Sequence, residues 1–155
     1  MKIIEIKDSN YQEYISIDIV AFSIAYAGAM GEGGGVYIVD SDGQLYHTNF
    51  CYGDDHIETE HLDILIPVIK DFQFGVFGSK SNNEEWVSFY TGFGNHLMIK
   101  KELYDGFCKK MAEANIQNTR DGQCYLQWPG LILSLLGKEE MTLTMKDISR
   151  MRKEY

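Results

Sequence analysis

Apolar positions in the first hundred residues mostly recur every second residue, and beyond them the spacing becomes helical. Ile3, Ile4 and Ile6 mark a short first strand. Between Tyr14 and Tyr26, Ile15, Ile17 and Ile19 alternate in one phase, then Val20, Phe22, Ile24 and Tyr26 in the other. A period of two is that of a strand, and the change of phase at Ile19–Val20 predicts a bulge or a bend in the sheet. A helix capped by Asp8 or Ser9 is the alternative for this stretch. Val36-Tyr37-Ile38-Val39 and Gln44 to Phe50 flank Asp40-Ser41-Asp42-Gly43, an Asp-Gly turn that predicts a β-hairpin. Phe72 to Phe77 reads as a further strand. Glu85 to Tyr90 and Asn95 to Lys100 read as a second hairpin joined through Thr91-Gly92-Phe93-Gly94.

Helical spacing first appears after an acidic loop at 51–58. Thr59 is placed to cap a helix whose apolar face is Leu62, Leu65, Ile66 and Ile69, which Pro67 should kink or break. Residues 102–115 form a longer helix, with Leu103, Phe107, Met111 and Ala114 near one face. Glu102 suits its positive end, and Lys109 and Lys110 lie nearer its negative end. Gln123 to Gln127 is read as a strand. A helix then runs from Pro129, suited to a first helical position, to a stop at Gly137, and a last helix starts at Thr144. Strands in runs followed by helices imply an α+β fold: a mainly antiparallel sheet with two to four helices packed on it as a single layer pair.

Length and composition narrow this little. At 155 residues, 45% hydrophobic and 13% aromatic, the chain suits one domain, residues 1–155, with a sizeable core. The N-terminus is too short and charged for a secretory leader, and no apolar run approaches the roughly 20 residues of a membrane span. Cys51, Cys108 and Cys124 show neither CxxC nor zinc spacing, so reduced thiols and a cytoplasmic location are expected.

Charge changes the picture more. From Asp8 to Ile69 there are eleven carboxylates and no Lys or Arg. Residues 1–78 carry 13 acids and 3 bases, whereas 79–155 carry 10 acids and 11 bases, so the net charge of −9 lies in the first half. Nucleic acid and anionic membrane are therefore disfavoured partners, and a cationic protein is favoured.

Candidate chemistry is sparse. The glycine run Gly28–Gly35 suggests a phosphate cradle, but it leads into a strand and lacks a following Lys-Ser/Thr pair. A loop between strands or a close backbone crossing fits it better. Asp54, Asp55, His56, Glu58, Glu60 and His61 gather potential metal ligands. Their spacing matches neither an EF-hand nor HExxH, and a solvated loop entering a helix explains them without metal. The thiols and the four histidines show no nucleophile–base pattern. In the aromatic hairpin, alternation puts Trp86, Ser88 and Tyr90 on one face and Val87 and Phe89 on the other. Outward-facing Trp86 and Tyr90 would be interface anchors.

The Gly33-Gly34-Gly35-Val36-Tyr37-Ile38-Val39 segment, the Gly92-Phe93-Gly94-Asn95-His96-Leu97 hairpin and the acidic balance resemble bacterial immunity proteins of polymorphic toxin systems, over roughly residues 14–115. The resemblance implies inhibition of a basic toxin or nuclease by masking its active site, with no catalytic residues. On this reading the partner-binding residues are Asp54, Asp55, Glu58, Glu60, Asp63, Trp86 and Tyr90, with no cofactor and no metal. Two rivals stand beside it: a small metal-dependent hydrolase using the His56/His61 carboxylate cluster, and a structural or adaptor domain. A homodimer through an apolar patch stays open.

Overall fold

The computed structural model describes residues 2–27, 33–50, 56–71, 84–92, 95–115 and 123–138. In chain order they form β1 (Ile4–Glu5), a 3-10 turn (Tyr11–Tyr14), β2 (Ile19–Ala27), β3 (Gly33–Asp40) and β4 (Leu45–Phe50). Then come α1 (Thr59–Leu65), a 3-10 segment (Pro67–Asp71), β5 (Trp86–Gly92), β6 (Asn95–Lys100), α2 (Lys101–Glu113) and α3 (Gln123–Leu135). The strands make one six-stranded sheet in the order β1-β4-β3-β2-β6-β5. Only β1 against β4 is parallel. The fold is α+β with a mainly antiparallel sheet, as the alternation predicts.

The β3–β4 hairpin forms where Asp-Gly places it. The carboxylate of Asp40, itself buried, accepts the N–H groups of Asp42 (3.0 Å) and Gln44 (2.9 Å) and the hydroxyl of Tyr46 (2.7 Å). Burial and this carboxylate together push the Tyr46 phenol above its ordinary range. Gly43 takes the left-handed φ of +80° that closes the turn. β3 starts earlier than expected. Gly33, Gly34 and Gly35 are strand residues paired with Ala27, Tyr26 and Ala25, so this part of the glycine run is not loop. Gly35 marks a close approach instead: a Cβ there would lie 3.2 Å from Nε2 of His47.

The phase change in β2 is a bulge between Ile19 and Ala21. It turns Val20 and Ala21 to one side of the sheet, and Ile19, Phe22 and Ile24 to the other. Val20 therefore does not share a face with Phe22, although the alternation pairs them. The expected start of this strand is wrong. Residues 11–14 form the 3-10 turn, and the strand begins only at Ile19. Asn10 holds the turn's approach, accepting the N–H of Lys7 (2.8 Å) and donating to the carbonyl of Glu5 (3.1 Å).

Both faces of the sheet are buried, so the layering goes beyond a single pair. On one face Val20, Ala21, Tyr37, Val39, Leu97 and Ile99 pack under α2 and α3, against Phe107, Met111, Trp128, Ile132 and Leu133. On the other, Phe22, Ile24, Val36, Ile38, Tyr46 and Met98 pack under Leu62, Leu65 and Ile66, with Tyr11 and Tyr14 at the margin.

The main departure from the sequence reading is α3. Gln123–Gln127 is its first half rather than a strand, and Pro129 sits inside the helix rather than at its start. An interior proline removes one helical hydrogen bond and costs about 3 kcal/mol. Complete burial of Trp128, Ile132 and Leu133 on either side opposes that cost. The helix ends at Leu135, and Gly137 (φ +71°) closes it as expected, donating to Ser134, with Lys138 donating to Leu133 at 2.8 Å. The expected strand at 72–77 and the helix from Thr144 lie outside the described residues.

Gly43→Ala forces a side chain into the left-handed region and against Lys138, whose Cγ would lie 2.5 Å from the new Cβ. It should destabilise the fold by about 1–2 kcal/mol, read as a lower urea midpoint at unchanged m-value.

Candidate binding face

Two elements from the base-free stretch lie together on one face of the sheet. The 3-10 turn Tyr11–Tyr14 and α1 pack on the same face of the sheet, joined by a stack of the Tyr11 and His61 rings (centroids 4.4 Å apart, planes 10° apart). Neither carries a Lys or Arg, and none occurs between Asp8 and Ile69. Glu13, Asp18, Glu58 and Glu60 are exposed, and Asp63 is half-buried. The opposite face, under α2, presents Lys101, Lys109 and Lys110 interleaved with Glu102, Asp105 and Glu113, and so is near neutral. These two elements are thus more acidic than α2, although Lys100, over the Trp86 ring, also stands on the α1 side.

Several of the acids are engaged within the fold. Asp8 is the clearest case. Its carboxylate accepts the N–H of Glu58 at 3.0 Å and pairs with Nδ1 of His61 at 2.7 Å. Glu58 is the N-cap residue of α1 and makes no side-chain cap, and Thr59 is the first helical residue. Thr59 is therefore not the cap. Asp8, fifty residues away, holds the cap backbone and the third helical side chain together, which is what a capping box does locally. Partial burial works against ionisation of Asp8, but the Glu58 N–H and His61 outweigh it and hold its pKa below 3.8. Glu58 in turn pairs with Nε2 of His56 at 3.0 Å.

His56 and His61 thus turn to two different carboxylates. Among the described residues no three His, Cys, Asp or Glu side chains are grouped so as to hold a metal ion. Asp54 and Asp55 lie outside the described residues.

A third histidine–carboxylate pair is on the other face. Nδ1 of buried His47 lies 2.9 Å from Oε2 of Glu5, with the Tyr37 ring beside it (centroids 4.6 Å apart). Nothing in the sequence signals this pair, because β1 reaches β4 across 42 residues of separation. A base held by a carboxylate is half of a catalytic triad, but among the described residues neither Ser23 nor Cys108 is placed to complete it. Ser23 pairs with Tyr37, and Tyr37 with His47. At about 4.8 Å per strand, Ser23 is roughly 10 Å from His47 with Tyr37 between. Cys108 instead bonds Tyr104 one turn earlier in α2, and that contact, after burial, raises the Tyr104 pKa. The Glu5–His47 pair is best understood as a tie between β1 and the sheet, alongside the Ile6 N–H on the His47 carbonyl (2.8 Å).

Trp86 is not an outward anchor. It is buried, packs against Phe22 (centroids 5.4 Å apart), and has the Lys100 ammonium 5.0 Å from its ring centre. The expected faces of β5 hold, with Trp86 on the α1 side and Phe89 on the α2 side, but the α1 side is core at this position. The Tyr90 side chain lies outside the described part. The exposed large hydrophobics among the described residues are Ile15 and Ile64, each 50% accessible. Ile64 could have been found in the sequence, since it falls off the Leu62–Leu65–Ile66 stripe.

Replacing Asp8 by Asn keeps its shape and removes its charge. The charge stabilises the fold above pH 3.8 and is lost as pH falls through the lowered folded pKa. At pH 7 the variant should be less stable by on the order of 1 kcal/mol, the pair being partly exposed. Urea unfolding at pH 7, 4 and 2.5 should show the difference shrinking towards zero at the acid end.

No family model matches this chain, and no curated protein and no solved structure matches it significantly.

Proposed function

We propose that this chain is a protein-binding module of the immunity type, acting in the cytoplasm by covering the cationic active site of a basic toxin or nuclease. One observation carries the reading: the exposed Glu13, Glu58 and Glu60 belong to the 3-10 turn and the start of α1, which pack against each other on one face of the sheet and carry no Lys or Arg. Aligned charge of one sign steers an oppositely charged protein, raising association rates by about 10- to 1,000-fold. The same charge repels nucleic acid and anionic lipid, so it suits a protein that competes with an anionic substrate for a basic cleft. Also in keeping with this, no helix among the described residues is long and apolar enough to cross a membrane. Asp8 and Asp40, whose carboxylates accept backbone N–H groups, belong to the scaffold. Glu13, Glu58, Glu60 and Asp63 belong to the proposed surface, with Asp54 and Asp55 next to them in sequence.

The first partner to test is the basic C-terminal domain of a secreted protein encoded beside this chain. Its association rate should fall at least tenfold between about 50 and 500 mM salt, over which screening shortens from roughly 14 to 4 Å. Glu13→Lys with Glu60→Lys should slow association several-fold, whereas Glu102→Lys with Glu113→Lys on α2 should change it little. An association rate indifferent to salt, or equal losses from both variant pairs, would remove the basis of this reading.

A further inference from the structure

We infer that the outer face of α1, centred on Ile64, is a docking surface for a cationic protein segment that presents an apolar anchor among lysines or arginines. This rests on the binding function proposed above and adds the position and shape of the contact.

Two observations combine. The first is apolar exposure. Leu62, Leu65 and Ile66 are turned into the core, whereas Ile64 stands half exposed on the far side of the same helix. The other exposed large hydrophobic among the described residues, Ile15, follows the 3-10 turn that packs beside α1. Ile15 thus directly follows an element that packs against α1. The second is the charge around Ile64. Glu60 precedes it by four residues and so shares its helix face, Glu58 stands exposed at the start of the helix, and Asp63 adjoins it. No base occurs between Asp8 and Ile69.

An apolar centre within a charged rim is the common anatomy of a protein interface. The sign of the rim selects the occupant. A second copy of this chain would set acid against acid. Nucleic acid and anionic lipid are repelled for the same reason. A basic segment gains on both counts, with its anchor covering Ile64 and its cations meeting the rim.

The test uses the full chain, isotope-labelled for NMR, and two probes: an amphipathic helical 18-residue peptide of leucine and lysine, and an oligolysine of equal charge. The amphipathic peptide should bind more tightly than oligolysine, and its shift changes should concentrate on α1 and residues 11–15. Ile64→Lys and the milder Ile64→Ser should each weaken it, the lysine variant at least tenfold, with far-ultraviolet circular dichroism unchanged. Shift changes on α2 and α3, or unaltered affinity in both Ile64 variants, would overturn this surface while leaving a basic partner in place. Failure of both probes to bind would overturn the surface and the binding reading together. A dimer of the free chain, dissolved by Ile64→Lys, would assign the face to a second copy and overturn the proposal.

Discussion

Burial of strand β2 on both faces, with hydrogen-bonded neighbours on both edges, is the constraint on which the rest of the structure depends. β2 pairs with β3 along one edge and β6 along the other. Its side chains enter two separate cores, Ala21 in one and Phe22 and Ile24 in the other. Buried backbone polar groups must be paired, and buried apolar faces must be covered. A sheet with two such faces needs helices on both, and the bulge at Ile19–Ala21 sets which residues each layer receives.

The chain meets that demand in sequence order. Elements between residues 11 and 71 cover one face, and those between 101 and 135 cover the other. The covering elements of the α1 side thereby come from the acidic half of the chain and α2 and α3 from the near-neutral half. The polarity of the molecule is a consequence of topology acting on a simple charge count. It also separates acids by role. Asp8 and Asp40 satisfy backbone donors and cost stability if lost, whereas Glu13 and Glu60 face water and repel their neighbours. The segment from Lys2 to Asn10 shows the structural role most clearly. Glu5 is held by His47 on one side of the sheet and Asp8 by His61 on the other. Of the two histidines in the candidate metal cluster, His61 thus fastens the N-terminal segment, and His56 pairs with Glu58.

Elements with strong local signals were legible from residues alone. Asp40 to Gly43 defines its own turn, Leu62, Leu65 and Ile66 their own helix face, and Gly137 its own helix end. The bulge could be read from a phase change because strand periodicity is local. Residues 123–127 were not legible. Gln-Cys-Tyr-Leu-Gln is a short run whose periodicity fits either state, and Pro129 shortly after it pointed to a later helix start. Packing of Trp128 and Ile132 against the sheet decided for helix through Pro129.

The sequence by itself determined the α+β class, the hairpins, most helix faces and the excess of negative charge in one half. These depend on residues within a few positions of one another, or on a count that no folding can alter. Only the tertiary structure decided that Trp86 is core, that Asp8 rather than Thr59 secures the start of α1, and that Glu5 meets His47. It also decided that the acids of the 3-10 turn and of α1 lie on the same side of the sheet as the exposed Ile64. Each of these joins segments far apart in the chain, and such contacts are set by which strands pair and which face each helix covers.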